Sequence, residues 1–201
     1  MTRKDGHHPI IFMQCGPVRH RVDPRTQAAA RPIEHVVLVQ PTSFVPLRDP
    51  EPDRRLEFQA LYRGLVEDDP RNHRICADVV DAVGTGRSPL VLTERNEHLE
   101  RLEAGVAGRV PHVITLKAGL GKRQRLAMAE RLASVPPDEG RVILATGNYI
   151  GEEFDDPRLD TLFLTLPVSW RGTVAQYAGR LHRLHDGKRV VRVYDYADLN
   201  V

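Results

Sequence analysis

Three segments of the chain are apolar through their centres: Pro89–Thr93, Arg141–Thr146 and Thr161–Leu166. A strand with one face in water alternates apolar and polar residues, so unbroken apolar runs indicate strands buried on both faces. Further strand candidates are Pro9–Cys15, His35–Val39, His112–Leu116 and Val190–Tyr194.

Segments with helical spacing separate most of these strands. From Arg54 onward, leucines and then valines recur at helical intervals, with a break near Asp69-Pro70. Strands that alternate with helices predict an α/β fold, a parallel sheet with helices on both faces, preceded by an N-terminal arm that contains a strand. The later predicted helices are Asn96–Ala107, Lys122–Ala133 and Thr173–Leu184.

Charge and composition exclude some classes of protein. The net charge of +2, from 29 Lys+Arg and 27 Asp+Glu, argues neither for nor against nucleic acid, so a basic surface must be local. No apolar run approaches the roughly 18 residues of a membrane span. The N-terminus lacks the apolar core of a signal peptide, and two cysteines are too few for a disulfide framework. We therefore expect a cytoplasmic protein with no membrane partner.

Ligands of parallel sheets bind where the strands end. Thr93 ends one predicted strand and Thr146 another, and Gly119–Arg123 joins a third strand to a helix. Free N–H groups at that helix start, with two cations, would favour a phosphate, although glycines often precede helices where nothing binds.

The loop Gly147–Pro157 is acidic, and its carboxylates suit acid/base work, a metal ion or simply a solvated loop. Histidines and cysteines fall in isolated pairs without the second pair that zinc needs, so we predict no metal site. Neither Gly-x-Ser-x-Gly nor Gly-x-x-x-x-Gly-Lys-[Ser/Thr] occurs in the sequence. The acidic side chains of the loop are Glu152, Glu153, Asp155 and Asp156.

The segment Gln176–Arg183 reads Gln-Tyr-Ala-Gly-Arg-Leu-His-Arg at the end of a predicted helix. Arg180 and Arg183 project from nearly one face and lie about 4.5 Å apart along the axis. Guanidinium groups stay charged and offer donor forks that match phosphate oxygens. Taken alone, a solvated basic helix end is the plainer explanation.

In order and spacing, these segments resemble the second RecA-like lobe of a superfamily 2 helicase of the DEAD/DEAH-box type, over roughly Arg54 to Tyr196. Gln176-x-x-Gly179-Arg180-x-x-Arg183 resembles motif VI. Ala145-Thr146-Gly147 through Asp155 and Pro157 resembles motif V, and Pro89–Thr93 with the next helix resembles motif IV. The chain departs from the pattern at Glu153, where many relatives have glycine.

The resemblance implies a domain organisation. Residues 1–40 would be the tail of the first helicase lobe, 41–53 a proline-rich linker and 54–201 the second RecA-like lobe. We therefore expect a fragment that begins just after motif III.

The resemblance also implies roles for single residues. Arg180 and Arg183 would be arginine fingers that reach ATP on the other lobe, with Gln176 near the γ-phosphate. Asp155 and Gly179 would belong to the same nucleotide site, and ATP and Mg²⁺ would be bound mainly by the missing first lobe. The residues expected to contact the backbone of DNA or RNA are Thr93, Gly119, Lys122, Arg123 and Thr146.

Three functions remain open at this point. The first is the C-terminal lobe of an ATP-dependent nucleic-acid helicase or translocase. The second is a non-catalytic module that binds nucleic acid or docks a separate ATPase. The third is an unrelated α/β enzyme that uses the carboxylates of Gly147–Pro157, which a glycine-rich nucleotide fingerprint would favour, and none is present.

Since the sequence has no Walker lysine motif, we expect no ATP hydrolysis by this chain alone. Phosphate release with and without single-stranded nucleic acid measures this directly. Turnover that the Arg180→Ala substitution abolishes would contradict the expectation.

Overall fold

The computed structural model describes residues 33–46, 54–117, 119, 121–147, 156–167, 181, 183, 185 and 187–200. The chain divides into two compact units, Met1–Ile33 and Glu34–Val201. All the described strands and helices belong to the second unit. No helix among the described residues is long and apolar enough to cross a bilayer.

The described strands form one six-stranded sheet in which every neighbouring pair is parallel. The strand order is β1-β6-β5-β2-β4-β3, so β2 lies at the centre with β5 and β4 on either side. The strands are β1 (Glu34–Thr42), β2 (Pro89–Thr93), β3 (His112–Leu116), β4 (Arg141–Thr146), β5 (Thr161–Leu164) and β6 (Val190–Asp198).

Both faces of the central strands are buried. Leu90 pairs with Ile143 and with Leu162, and all three side chains are fully buried on one face. The next residue of each strand points to the opposite face and is equally buried, as the period of two requires. The predicted α/β fold with a parallel sheet is therefore confirmed. On the second face the core consists of Val91, Leu144 and Phe163 with residues of two helices, among them Ile75, Val79, Leu99 and Leu102.

A capping residue and a proline set the boundary between the first two helices. The Asp68 side chain accepts a hydrogen bond from the N–H of Arg71 at 2.8 Å, and Pro70 lies in the first turn of the second helix. The helix boundary therefore falls at the break that the sequence predicts. The helices are α1 (Arg54–Glu67), α2 (Asp69–Gly84), α3 (Asn96–Val106) and α4 (Lys122–Ser134).

Three strands differ in length from the sequence prediction. β1 spans Glu34–Thr42 rather than His35–Val39. β5 ends at Leu164 rather than Leu166, although the Thr165 N–H still donates to the carbonyl of Leu92 in β2 at 3.1 Å. β6 continues to Asp198 rather than ending at Tyr194, because its last residues pair with β1 as far as Thr42. The predicted strand at Pro9–Cys15 and most of the predicted helix Thr173–Leu184 lie outside the described residues.

β1 begins at Glu34 and belongs to the sheet of the second unit. The sheet therefore includes a strand that starts ahead of the predicted linker 41–53. The assignment of the residues before β1 to another lobe stays a prediction.

A buried ion pair holds the end of β6 to the start of α2. The Arg71 guanidinium donates to Asp198 from Nε at 2.9 Å and from Nη2 at 3.3 Å, and the two side chains are 1% and 4% exposed. Nη1 of Arg71 donates to the carbonyl of Thr165 at 2.7 Å, beyond the end of β5. The Thr42 hydroxyl of β1 donates to the same carboxylate at 2.5 Å. The ion pair thus connects the ends of three strands: the guanidinium joins β6 to β5, and the carboxylate joins β6 to β1.

We expect Arg71→Met to lower the free energy of unfolding by about 3–5 kcal/mol, because it leaves the Asp198 carboxylate buried without its cation. Urea unfolding followed by circular dichroism measures the change. Arg101→Met is the matched control, since Arg101 pairs with Asp69 at 3.5 Å on the surface and its loss should cost less than about 1 kcal/mol. Equal losses in the two variants would contradict the role given to Arg71.

Candidate nucleic-acid interface

The structure brings together several of the residues predicted to contact nucleic acid. Thr93 at the end of β2 and Thr146 at the end of β4 are direct partners in the sheet register. β3 is the next strand, its Leu116 pairs with Ala145, and Gly119 follows shortly after. Because parallel strands all end at the same edge of a sheet, these predicted contacts lie at the ends of three adjacent strands. We call the edge at which the six described strands end the carboxyl edge.

Thr93 is 2% exposed, and its hydroxyl belongs to a buried chain of hydrogen bonds. Its Oγ1 lies 3.0 Å from Nδ1 of His98, and Nε2 of His98 lies 2.9 Å from Oδ1 of Asn72. Nδ2 of Asn72 donates to the carbonyl of Val66 at 2.8 Å. Thr146 is also buried, at 4% exposure.

The direction of these hydrogen bonds, donor to acceptor, follows from the carbonyl of Val66 at their end. A carbonyl can only accept, so the Asn72 amide must turn its NH₂ toward Val66 and its oxygen toward His98. His98 must therefore carry its proton on Nε2, and its Nδ1 accepts from the Thr93 hydroxyl. The Thr93 oxygen in turn accepts from the main-chain N–H of Arg95 at 3.3 Å, which fixes the backbone just beyond β2.

His98 is neutral in this environment. Burial lowers the pKa of its imidazole to about 3, and the nearby Arg71 and Arg101 charges add to that effect. A neutral imidazole can both donate and accept, as the chain from Thr93 to Asn72 requires.

The described residues between β3 and α4 are more open to solvent than Thr93 and Thr146. Gly119 is exposed and has a φ of 89°, a left-handed conformation that favours glycine. The Gly121 N–H donates to Oε1 of Gln124 at 3.0 Å, and this bond caps the N-terminus of α4. Arg123 is exposed in the first turn, and Lys122 begins the helix, although its side chain lies outside the described part of the structure.

Arg183 lies apart from this group. It is exposed, and its carbonyl accepts from Nζ of Lys188 at 3.0 Å, just ahead of β6. The same ammonium donates to the carbonyl of Pro157 at 3.1 Å, ahead of β5, so Arg183 is tied to the edge where these strands begin. Burial lowers the pKa of Lys188, against the opposing effect of Asp160 and Asp156. The other predicted nucleotide-site residues, Asp155, Gln176, Gly179 and Arg180, lie outside the described residues.

Asp156 is the described member of the acidic loop, and its carboxylate is already engaged. It is 6% exposed and forms an ion pair with Arg141 at 2.5 Å, although Oδ2 and the Arg141 Nη atoms lack hydrogen-bond geometry. Its Oδ1 accepts from the main-chain N–H of Arg158 at 3.0 Å. Burial lowers the pKa of the Arg141 guanidinium, which Asp156 opposes. Within the described residues, no group of three or more metal-ligating side chains occurs.

The roles of several residues at this edge were not predicted from the sequence. Asn72 and His98 come from two different helices, and Arg71 meets Asp198 from the far end of the chain. A polar residue on the apolar face of a predicted helix could have indicated these contacts, because polar side chains are buried only when they have hydrogen-bond partners. The signal does not identify the partner.

No family model and no curated protein matches the sequence. T4 UvsW and the C-terminal part of the Fun30 ATPase domain are among the solved structures that share its fold. Over 83% of this chain, T4 UvsW is 14% identical with a TM-score of 0.57. The C-terminal part of the Fun30 ATPase domain is 15% identical over 59% of this chain, with a TM-score of 0.50. The matches take in 33% and 37% of those chains, so this chain spans about a third of their length. At such identities the likeness shows the fold, which is RecA-like α/β.

The neutral state of His98 predicts a pH-dependent stability. A histidine whose pKa falls from 6.5 unfolded to about 3 folded binds fewer protons when folded, so stability is complete above 6.5 and declines as the pH falls through that window. We expect His98 to cost about 2 kcal/mol of stability between about pH 7.5 and about pH 5. Urea unfolding at the two pH values measures this loss.

His98→Gln should lose that part of the pH dependence, whatever its stability at neutral pH. His73→Gln is the control, since His73 is exposed on α2 and its removal should leave the dependence unchanged. The same pH dependence in His98→Gln and the wild type would show that His98 is not held neutral.

Proposed function

We propose that this chain is a RecA-like lobe of an ATP-dependent nucleic-acid helicase or translocase. In this proposal the carboxyl edge holds the sugar-phosphate backbone of a DNA or RNA strand. ATP and Mg²⁺ bind mainly to the partner lobe, and this chain adds arginine fingers to them.

One observation supports the proposal above the others. The segments with the motif IV and motif V resemblance end on adjacent strands with Thr93 opposite Thr146, and the Gly119–Arg123 segment follows the next strand. Sequence spacing alone does not require these segments to be neighbours in the sheet. The fold shared with T4 UvsW and with part of the Fun30 ATPase domain agrees with a place in an ATPase of this kind.

The buried hydroxyl of Thr93 refines the expected contacts. Because Oγ1 is bonded to His98 and to the Arg95 N–H, a phosphate at this edge would meet exposed groups rather than that hydroxyl. Arg123 and Gly119 are exposed along the same edge. Contacts of this kind hold a strand without reading its sequence.

ATP would supply the phosphoanhydride bond whose hydrolysis changes the separation of two lobes. This chain would contribute the guanidinium groups of Arg180 and Arg183, and Arg183 lies exposed near the edge where β5 and β6 begin. Fixed cations at a transferring phosphoryl group stabilise its charge without needing to move a proton.

We expect Arg123→Ala to weaken binding to single-stranded nucleic acid and to reduce the salt slope of log K by about 0.7, the contribution of one phosphate contact. Fluorescence anisotropy with an oligothymidine over a series of salt concentrations measures both values. Arg109→Ala is the matched control, because Arg109 is exposed just ahead of β3, at the opposite edge. Absence of binding by the wild-type chain, or equal effects of the two substitutions, would contradict the proposed interface.

A further inference from the structure

Phe58 of α1 is an exposed aromatic residue that the proposed function leaves unused. Its side chain is 58% exposed. A single exposed apolar residue is ordinary on a protein surface and needs no function. Its neighbours and its position in the fold decide whether it has one.

Phe58 packs beside Tyr62, and Tyr62 in turn packs beside Arg95. The ring of Tyr62 lies 5.2 Å from the Phe58 ring, centroid to centroid, at an interplanar angle of 33°. The Arg95 guanidinium lies over the Tyr62 ring, 5.6 Å from its centroid. Tyr62 is 6% exposed, whereas Arg95 and Phe58 are exposed to solvent. We call these three residues the aromatic cluster.

The aromatic cluster lies at the carboxyl edge. Arg95 comes just after Thr93 of β2, and its N–H donates to the Thr93 hydroxyl. The Tyr62 hydroxyl donates at 2.8 Å to the carbonyl of Pro167, just beyond β5. The cluster is thus held between the ends of β2 and β5, on the side of β2 away from β4.

The charges around the aromatic cluster suit a base better than a phosphate. Glu94 and Arg95 are consecutive, exposed residues of opposite charge just beyond β2. Burial raises the pKa of the Tyr62 hydroxyl, the Glu94 carboxylate raises it further and the Arg95 guanidinium lowers it, in agreement with two opposite charges near the ring. The carboxylate offsets the attraction of Arg95 for an anion. Aromatic faces and guanidinium planes stack on any nucleic-acid base.

We propose that the aromatic cluster is a stacking site for an unpaired base, so that the strand held at this edge is single-stranded. The inference rests on the proposed function, since the backbone of the same strand would be held further along this edge, at Arg123 beyond β3. A duplex keeps its bases paired and stacked on one another, so it has no free face to offer Phe58.

Fluorescence anisotropy with the 201-residue chain separates base contacts from backbone contacts. The two probes are an oligothymidine of about 12 nucleotides and an abasic strand of the same length. We expect the wild-type chain to bind oligothymidine more tightly than the abasic strand. Phe58→Leu keeps apolar bulk but loses the aromatic face, and should weaken oligothymidine binding about tenfold without affecting the abasic strand.

Two further variants complete the design. Phe58→Trp keeps an aromatic face and should bind oligothymidine at least as well as the wild type. Arg123→Ala should weaken both probes to a similar extent, because it removes a phosphate contact that both strands offer.

The results distinguish the inference from the function on which it rests. If Phe58→Leu binds oligothymidine as the wild type does, or loses affinity for both probes alike, the stacking site is refuted while binding to the abasic strand still supports the proposed function. If the wild type binds neither probe, the proposed function fails and the stacking site fails with it.

Discussion

The carboxyl edge depends on a single buried guanidinium. A charged group of that size is tolerated in an interior only if nearly all its donors are satisfied. Arg71 meets this condition with the carboxylate of Asp198 and the carbonyl of Thr165, and its guanidinium lies 5.8 Å from the centroid of the Tyr196 ring. Since these partners come from the ends of β5 and β6, the position of α2 and the alignment of the strand ends are fixed together.

The same turn of α2 controls a second network. Arg71 and Asn72 are consecutive, and the cap at Asp68 with Pro70 sets where both side chains point. Asn72 sets the direction of the hydrogen bonds that run through His98 to Thr93. Burial is the main reason that His98 stays neutral, and the charge of Arg71 adds to that effect. A local helix start thus organises an ion pair and a neutral hydrogen-bond chain that lie side by side.

The strands were predictable from sequence because a buried strand is a short, mostly apolar run, which is visible within a few consecutive residues. Pro89–Thr93, His112–Leu116 and Arg141–Thr146 have the predicted bounds, and their positions make Thr93 and Thr146 strand ends. The extension of β6 to Asp198 was not predictable, because it follows from pairing with β1, which is distant in sequence. The Arg71 and His98 networks and the aromatic cluster are equally nonlocal, since hydrophobic periodicity does not say which helix lies over which strand.

The strand order has a consequence for how the chain is made. β1 is an outermost strand of the described sheet. Its partner is β6, with Glu34 opposite Val190 and Thr42 opposite Asp198. During synthesis β1 leaves the ribosome long before β6, which among the described strands is the one that pairs with it. Val37 and Val39 stay 63% and 60% exposed even in the finished sheet. Until β6 emerges, the apolar residues of β1 lack that partner, and this is the period in which a chaperone would protect them from association with other chains.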